Sequence, residues 1–321
     1  MTHTTNKIAK PIIGYLLAIA LSAAVVFLSL GVGFGEWGVP WQMDETSWQL
    51  RYPRVLTALL VGMALAVSGS ALQAVFENPL ADPSLIGTSG GAALGVVAVL
   101  AFGIGGIGVP LAAFLGSVSV CLLILAWHKM MGGGIMGLLI LGFVVSAFCG
   151  ALVSLILFLS DDLVLRSATN WLSGSMAESG LVPFSYVMGI LALGLVLLIA
   201  LGRRLDGLML GEMTATSMGI DVGKTRILAV IGSALLTAGA VSLAGVIGFI
   251  GMMVPNILAV LFGGTRTRLL IWSGWLGAMA LLAIDSVARF VSYPVDVPVG
   301  IVLALLGGPF FIWLFTKAGR S

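Results

Sequence analysis

The sequence predicts an all-α, polytopic membrane bundle of about ten spanning helices, and three observations carry that prediction. Of 321 residues, 60% are hydrophobic and only 9% are charged, against roughly 45–50% apolar and about 25% charged in a soluble globular chain. So few charges cannot clothe a water-facing surface, and apolar side chains must face lipid. Apolar runs of about 20 residues, enough to cross a bilayer at ~1.5 Å per residue, recur along the whole chain. Finally, placing both termini in the cytoplasm puts Lys7, Lys10, Lys129, Arg203, Arg204, Lys224, Arg226, Arg266, Arg268, Lys317 and Arg320 inside. That leaves Arg51, Arg54, Arg166 and Arg289 outside, an 11 to 4 division of the 15 basic residues in the sense of the positive-inside rule.

Taken in order, residues 1–11 form a short cytoplasmic N-terminus. The apolar run 12–33 is too long for a cleaved signal and lacks a small-residue cleavage site, so it stays as the first span. The second, 53–75, opens on Pro53, whose missing N–H costs nothing in a first helical turn. Residues 77–83 hold Pro79 and Pro83, each of which keeps the preceding residue out of the helical region, so this inside connector is stiff. Span 85–104 carries Gly87, Gly91 and Gly95 at a spacing of four, the pattern of closely packed helix backbones. Spans 109–128, 135–158 and 183–202 follow. Residues 203–226 form the longest inside loop, in which 211–218 predicts a short helix stopped by Gly219. That helix would present Met213, Thr214 and Ser217 with small alanines between them, a shape suited to a partner's groove. An amphipathic linker lying on the membrane is the alternative. Spans 227–247, 249–262, 269–290 and 299–316 complete the set. The segment 249–262 is short and contains Pro255, so it belongs inside the bundle, where non-ideal backbone is tolerated. Residues 1–321 thus read as a single transmembrane domain.

The polar residues exclude several functions. Gly103, Gly105 and Gly108 fit a dinucleotide fingerprint, but with no strand before them they read as a turn. Residues 218–225 are a near miss to a P-loop, with Met218 where its first glycine belongs, so this chain is not expected to bind ATP. Of thirteen carboxylates, Asp285 falls inside a span. Arg289 sits one turn later and reads as its i,i+4 partner, which leaves no acid chain of the kind a proton relay uses. Cys121 and Cys149 lie far apart in apolar runs and read as packing residues. His3 and His128 receive no role. No catalytic constellation, metal site or nucleic-acid-binding pattern emerges.

Five separated motifs resemble the FecCD family. They are residues 51–54 (Arg-Tyr-Pro-Arg), 76–83 (Phe-Glu-Asn-Pro-Leu-Ala-Asp-Pro), 210–219 with Leu210-Gly-Glu and Met218-Gly219, and 245–255 with Gly245, Gly248, Gly251 and Pro255. The fifth is residues 297–311 with Val297-Pro-Val-Gly300 and Gly308-Pro-Phe-Phe311. They run in matching order from about Arg51 to the C-terminus. The family comprises permease subunits of type II ABC importers for iron–siderophore complexes, haem and cobalamin.

The resemblance implies a ten-helix permease in the bacterial cytoplasmic membrane. It would pair with a second permease copy, two cytoplasmic ATPase subunits and an extracytoplasmic (periplasmic) binding protein. ATP and Mg would be used by the ATPase, and no cofactor would be bound by this chain. It further implies that Arg51, Arg54 and Arg289 receive acidic residues of the binding protein. The coupling helix on the ATPase would be formed by Gly211, Glu212, Met213, Thr214, Ser217, Met218 and Gly219. Asn78, Leu80, Ile135 and Met136 would line the cytoplasmic gate. The chain departs from the family in having Asn256 where histidine is common, and Asp296-Val where Glu-Leu is usual. The expected cargo is an iron chelate, siderophore or haem, with cobalamin as the alternative. A proton-coupled secondary transporter and an integral membrane enzyme are the readings from other classes.

Overall fold

The computed structural model describes residues 5–33, 37–177, 179 and 184–318. His3, Glu36, Glu178 and Arg320 lie outside the described residues. Among these the chain forms twelve α-helices: α1 (Thr5–Gly31), α2 (Glu45–Val75), α3 (Thr88–Phe102), α4 (Val109–Met131), α5 (Gly134–Leu159) and α6 (Asp162–Leu172) in the first half. In the second half come α7 (Phe184–Leu208), α8 (Glu212–Ser217), α9 (Val222–Ala244), α10 (Ile250–Phe262), α11 (Arg266–Val291) and α12 (Val299–Ala318). Ten of these fall on the ten predicted spans. By length and composition α2, α4, α5, α7, α9 and α11 can each cross a membrane, and the apolar parts of α1, α3, α10 and α12 are shorter.

Burial sorts the helices into a centre and a periphery. The most apolar eighteen-residue stretch of α2 and of α9 is 78% buried, against 28% in α4 and 22% in α5. The two central helices are joined by polar contacts that a lipid-facing pair could not keep dry. Ser68 Oγ lies 3.0 Å from Thr237 Oγ1 and donates to the Ser233 carbonyl at 3.2 Å. α11 packs along α2 with almost no gap: a methyl group on Gly62 would fall on the Gly277 carbonyl, and one on Gly277 on the Gly62 carbonyl. Small residues at such a seam let backbones approach and replace the hydrophobic drive that lipid removes. Cys121 and Cys149 are buried and unpaired, as packing residues.

Several helix ends differ from the sequence expectation, for one physical reason. A ruler of bilayer thickness stops where lipid stops, whereas a hydrogen-bonded helix runs on into water. α1 begins at Thr5, ahead of the span expected from residue 12. α2 begins at Glu45, so Pro53 lies within the helix and not in its first turn. α7 continues to Leu208 and α9 begins at Val222, which shortens the expected 203–226 loop to 209–221. Conversely, α3 begins later than expected. Residues 83–86 form a 3-10 turn, and Gly87 breaks the path with φ +77°. Gly91 does pack tightly, against the Gly116 carbonyl of α4. The first half of α10, including Pro255, is buried as expected, while Val260, Leu261 and Phe262 emerge at its end. The amphipathic helix α6 was not anticipated. At eleven residues it cannot cross a membrane, and its start is capped by Asp161, whose carboxylate accepts from the Val164 N–H at 2.9 Å.

Candidate functional sites at the two ends of the bundle

At one end, residues far apart in sequence converge on a charged network. Arg54, near the start of α2, donates through Nη2 to Asp285 of α11 at 2.9 Å and through Nη1 to Asp296, just before α12, at 2.8 Å. Its Nε lies 3.1 Å from the second Asp285 oxygen, so the planar fork is used on both sides. Arg289 stands one turn after Asp285, and its Nε is 3.1 Å from Asp285 Oδ2, the pairing read from the sequence. Arg54 and Arg289 are 5% and 3% exposed and Asp285 is 1% exposed. Burial at this level requires mutual neutralisation, and the geometry provides it.

The same arginines finish α1. The last carbonyls of a helix have no partner within it. Here Arg51 Nη1 donates to the Gly31 carbonyl at 2.7 Å and lies 3.3 Å from that of Leu30, while Arg289 donates to the Val32 and Ser29 carbonyls at 3.3 and 3.4 Å. Cations at a helix C-terminus also meet the negative end of its dipole. Arg51, Arg54 and Arg289 together line a small cavity of about 130 Å³ with Ser47, Leu50 and Ala177. Three cations against two carboxylates leave one net positive charge, and the partly exposed Arg51 carries it to the surface.

The structure therefore brings the three expected docking arginines together, but in unequal roles. Arg54 and Arg289 are buried in the ion-pair network, whereas Arg51 binds the end of α1 and stays partly exposed. Asp296, noted in the sequence only as a departure from the family pattern, proves to be a principal partner of Arg54.

At the opposite end, α8 stands proud of the bundle. Gly211 precedes it with φ +91°, and Gly219 follows with φ +79°. The Gly219 N–H bonds to the Thr216 carbonyl at 2.9 Å and the Ile220 N–H to that of Ala215 at 3.0 Å, which is a Schellman stop and meets the expectation for Gly219. Ala215 is fully buried and seats the helix. Around it Met213 is 87% exposed, and Glu212, Thr214, Ser217 and Met218 are exposed too. Thr216 and Ser217 turn their hydroxyls back onto the Glu212 and Met213 carbonyls, which leaves the outer face dominated by methionine. Next to it Asp221 caps α9, accepting from the Lys224 N–H at 3.0 Å, and that hydrogen bond holds its carboxyl below the ordinary value.

The connector after α2 lies beside this helix. Glu77 adopts φ +50°, and the Asn78 N–H bonds back to the Gln73 carbonyl at 3.1 Å. Asn78 Oδ1 accepts from the Leu80 N–H at 2.9 Å, forming a side-chain-closed turn that holds Leu80 partly exposed. Asn256 clamps the same loop: its Nδ2 donates to the Pro79 carbonyl at 2.7 Å. Burial raises the pKa of Asp82, which caps the following 3-10 turn. That turn packs on α5, where Gly142 meets the Leu85 carbonyl. Met136, at the start of α5, is exposed and Ile135 is half-buried, about 9 Å below Gly142 at ~1.5 Å per residue.

Sequence reasoning missed the link between these parts. Arg226 of α9, only 13% exposed, reaches Glu212 of α8 at 3.0 Å and Glu77 of the connector at 3.6 Å. In the sequence Arg226 counted merely as an inside cation, and nothing local reveals carboxylates so distant as its partners.

The model of the FecCD transport family matches residues 16–317. The hemin transport system permease protein of Yersinia pestis is 35% identical, the match covering 95% of each chain. The vitamin B12 import system permease protein of Vibrio cholerae is also 35% identical, over 94% of this chain and 92% of that one. Among solved structures, a transporter described as of the metal-chelate ABC type, in an inward-facing conformation, superposes with a TM-score of 0.84 at 32% identity. That match covers 94% of this chain and 98% of the other.

Proposed function

The chain belongs to the FecCD transport family, and from that premise we propose that it is the membrane-spanning permease of an ATP-driven importer carrying an iron chelate. The observation that carries this reading is α8, a helix seated by Ala215 that offers exposed Met213 and Met218 at one end of a bundle. Flexible, polarisable methionine side chains adapt to a partner's groove. In this reading α8 and its flanking residues Gly211 and Gly219 rest on a cytoplasmic ATPase. The partner supplies ATP, Mg and the hydrolysis, and the permease supplies a pathway whose shape that partner biases. Two permease copies, two ATPases and an extracytoplasmic binding protein would complete the assembly in the bacterial cytoplasmic membrane, with both termini inside. Arg51 would meet an acidic residue of the binding protein, with Arg54 and Arg289 holding its surroundings rigid. Asn78, Leu80, Ile135 and Met136 would line the inner gate.

The neutralisation of Asp285 by two arginines speaks against the proton-coupled alternative, because a relay acid must be free to release its proton. Cobalamin remains the competing cargo, since the vitamin B12 permease of Vibrio cholerae matches as closely as the hemin permease of Yersinia pestis. Proteoliposomes containing the permease, its ATPase and its binding protein separate the two. ATP-dependent uptake of haem or a ferric siderophore, with none of cobalamin, is expected. Uptake of cobalamin instead replaces the cargo, and uptake without the ATPase sinks the importer reading.

A further inference from the structure

A groove of about 530 Å³ runs between α1, α10 and α11, away from both the charged network and α8. Its wall is apolar: Leu17 and Leu21 from α1, Leu258 and Phe262 from α10, and Trp272 and Trp275 from α11. The two indoles meet edge to face, with ring centroids 5.5 Å apart, and Trp275 Nε1 donates to Ser22 Oγ at 2.8 Å, closing the deep end. At the shallow end sits Arg268. It is exposed and, unlike Arg51, Arg54, Arg226, Arg266 and Arg289, its guanidinium has no partner among the described residues. Gly14 leaves the facing wall open, since a Cβ there would meet nothing within 4 Å.

From Arg268 to Trp275 the groove follows α11 for about 10 Å at ~1.5 Å per residue. It therefore joins one uncompensated cation to an apolar trough that points into the bundle's lipid-facing side. A soluble anion would leave the trough empty, and an apolar molecule would leave the arginine unpaired. A single molecule with a phosphate at one end and hydrocarbon at the other satisfies both.

We propose that this groove holds one anionic phospholipid, its phosphate on Arg268 and an acyl chain along Leu17, Leu21 and the Trp272–Trp275 pair. With the topology proposed above this lipid belongs to the cytoplasmic leaflet; that placement rests on the proposed function, whereas binding itself does not. A basic residue at the mouth of such a groove draws an anionic headgroup in the manner of juxtamembrane basic residues.

The full-length chain, purified in detergent and delipidated, provides the test. It is offered phosphatidylglycerol or phosphatidylcholine with identical acyl chains, with retained lipid counted by native mass spectrometry and Tm recorded in parallel. One retained phosphatidylglycerol and a raised Tm are expected, with phosphatidylcholine weaker on both readouts. R268Q should lower phosphatidylglycerol retention about five-fold, the equivalent of ~1 kcal/mol for one basic residue at an anionic surface. R268K should retain most of it. G14L places a side chain in the trough from a position where a Cβ meets nothing within 4 Å, and should reduce retention of both lipids. Equal retention of the two lipids by the native chain overturns the proposal. So does unchanged retention in both R268Q and G14L, or an equal rise in Tm from inorganic phosphate. Because the readout is lipid on the isolated permease, failure here leaves the importer reading standing, and failed uptake leaves the lipid site standing.

Discussion

Arg54 and Arg51 sit one helical turn apart yet answer to different physics. Arg54 is buried between Asp285 and Asp296, so Arg54→Ala would leave buried Asp285 to Arg289 alone and half-buried Asp296 without its ion-pair partner. Breaking a buried pair from one side costs about 3–5 kcal/mol, and a large fall in Tm of the detergent-solubilised permease is expected. Arg51 is partly exposed and contributes a cap to α1, an interaction of about 0.3–1 kcal/mol. Arg51→Glu should therefore leave Tm nearly unchanged while weakening association with the binding protein and flattening its salt dependence. Unaltered association, measured at low ionic strength by surface plasmon resonance, would remove the docking role. Asp221 offers a pH test. Its carboxyl is depressed below the ordinary 3.8 by the Lys224 N–H, so its contribution is present above that value and is lost as pH falls through the depressed one. Amide exchange at 222–225, corrected for intrinsic rates, should speed up in the native chain as pH falls below 3.8 through the depressed value. In Asp221→Ala it should be fast above and below that range.

Among the elements, α8 is the one whose removal should separate hydrolysis from transport. Ala215 is fully buried beneath it, so Ala215→Leu should lift the helix from its seat. ATPase activity in the assembled complex should then persist while uptake falls. Arg226→Gln should reproduce part of that phenotype, because it cuts the ties from α8 to Glu77 while leaving α8 itself intact. Coupling equal to the native complex would rule out Arg226 as the link. Much of this architecture was legible in the sequence because a lipid-crossing helix writes itself as a continuous apolar run. The short α8 was legible as well, through the glycine that stops it. Helix α6 was not, since eleven mixed residues carry no such run. The helix ends drifted where α2 and α7 extend beyond lipid, and composition there no longer distinguishes helix from loop. Arg51 and Arg54 could be found from their motif and Arg289 from the family resemblance, but their occupation could not. Asp285 and Asp296 lie 231 and 242 residues from Arg54, and no local pattern spans that distance.

The whole molecule is organised around α2, with α9 on one side and α11 on another, held at backbone contact by Gly62 and Gly277. Gly277→Leu should force these helices apart and lower Tm by more than any lipid-facing substitution of similar size. Leu305→Ala on the exposed face of α12 makes a suitable control. A shift no larger than the control's would show the seam to be slack. Such a centre leaves the change of shape that transport requires to the peripheral helices, of which α5, followed equally by α4 and α7, is the least buried among the long ones.

The long reach of Arg54 also has a consequence during synthesis. At roughly 5–20 residues per second, the ribosome needs on the order of 10–50 s to travel from Arg54 to its carboxylates. Through that interval a guanidinium near the rim of the bilayer must lean on headgroups or water. Only the arrival of the last two helices releases it inward, so chains cut short before Asp285 should be conspicuous to membrane quality-control proteases.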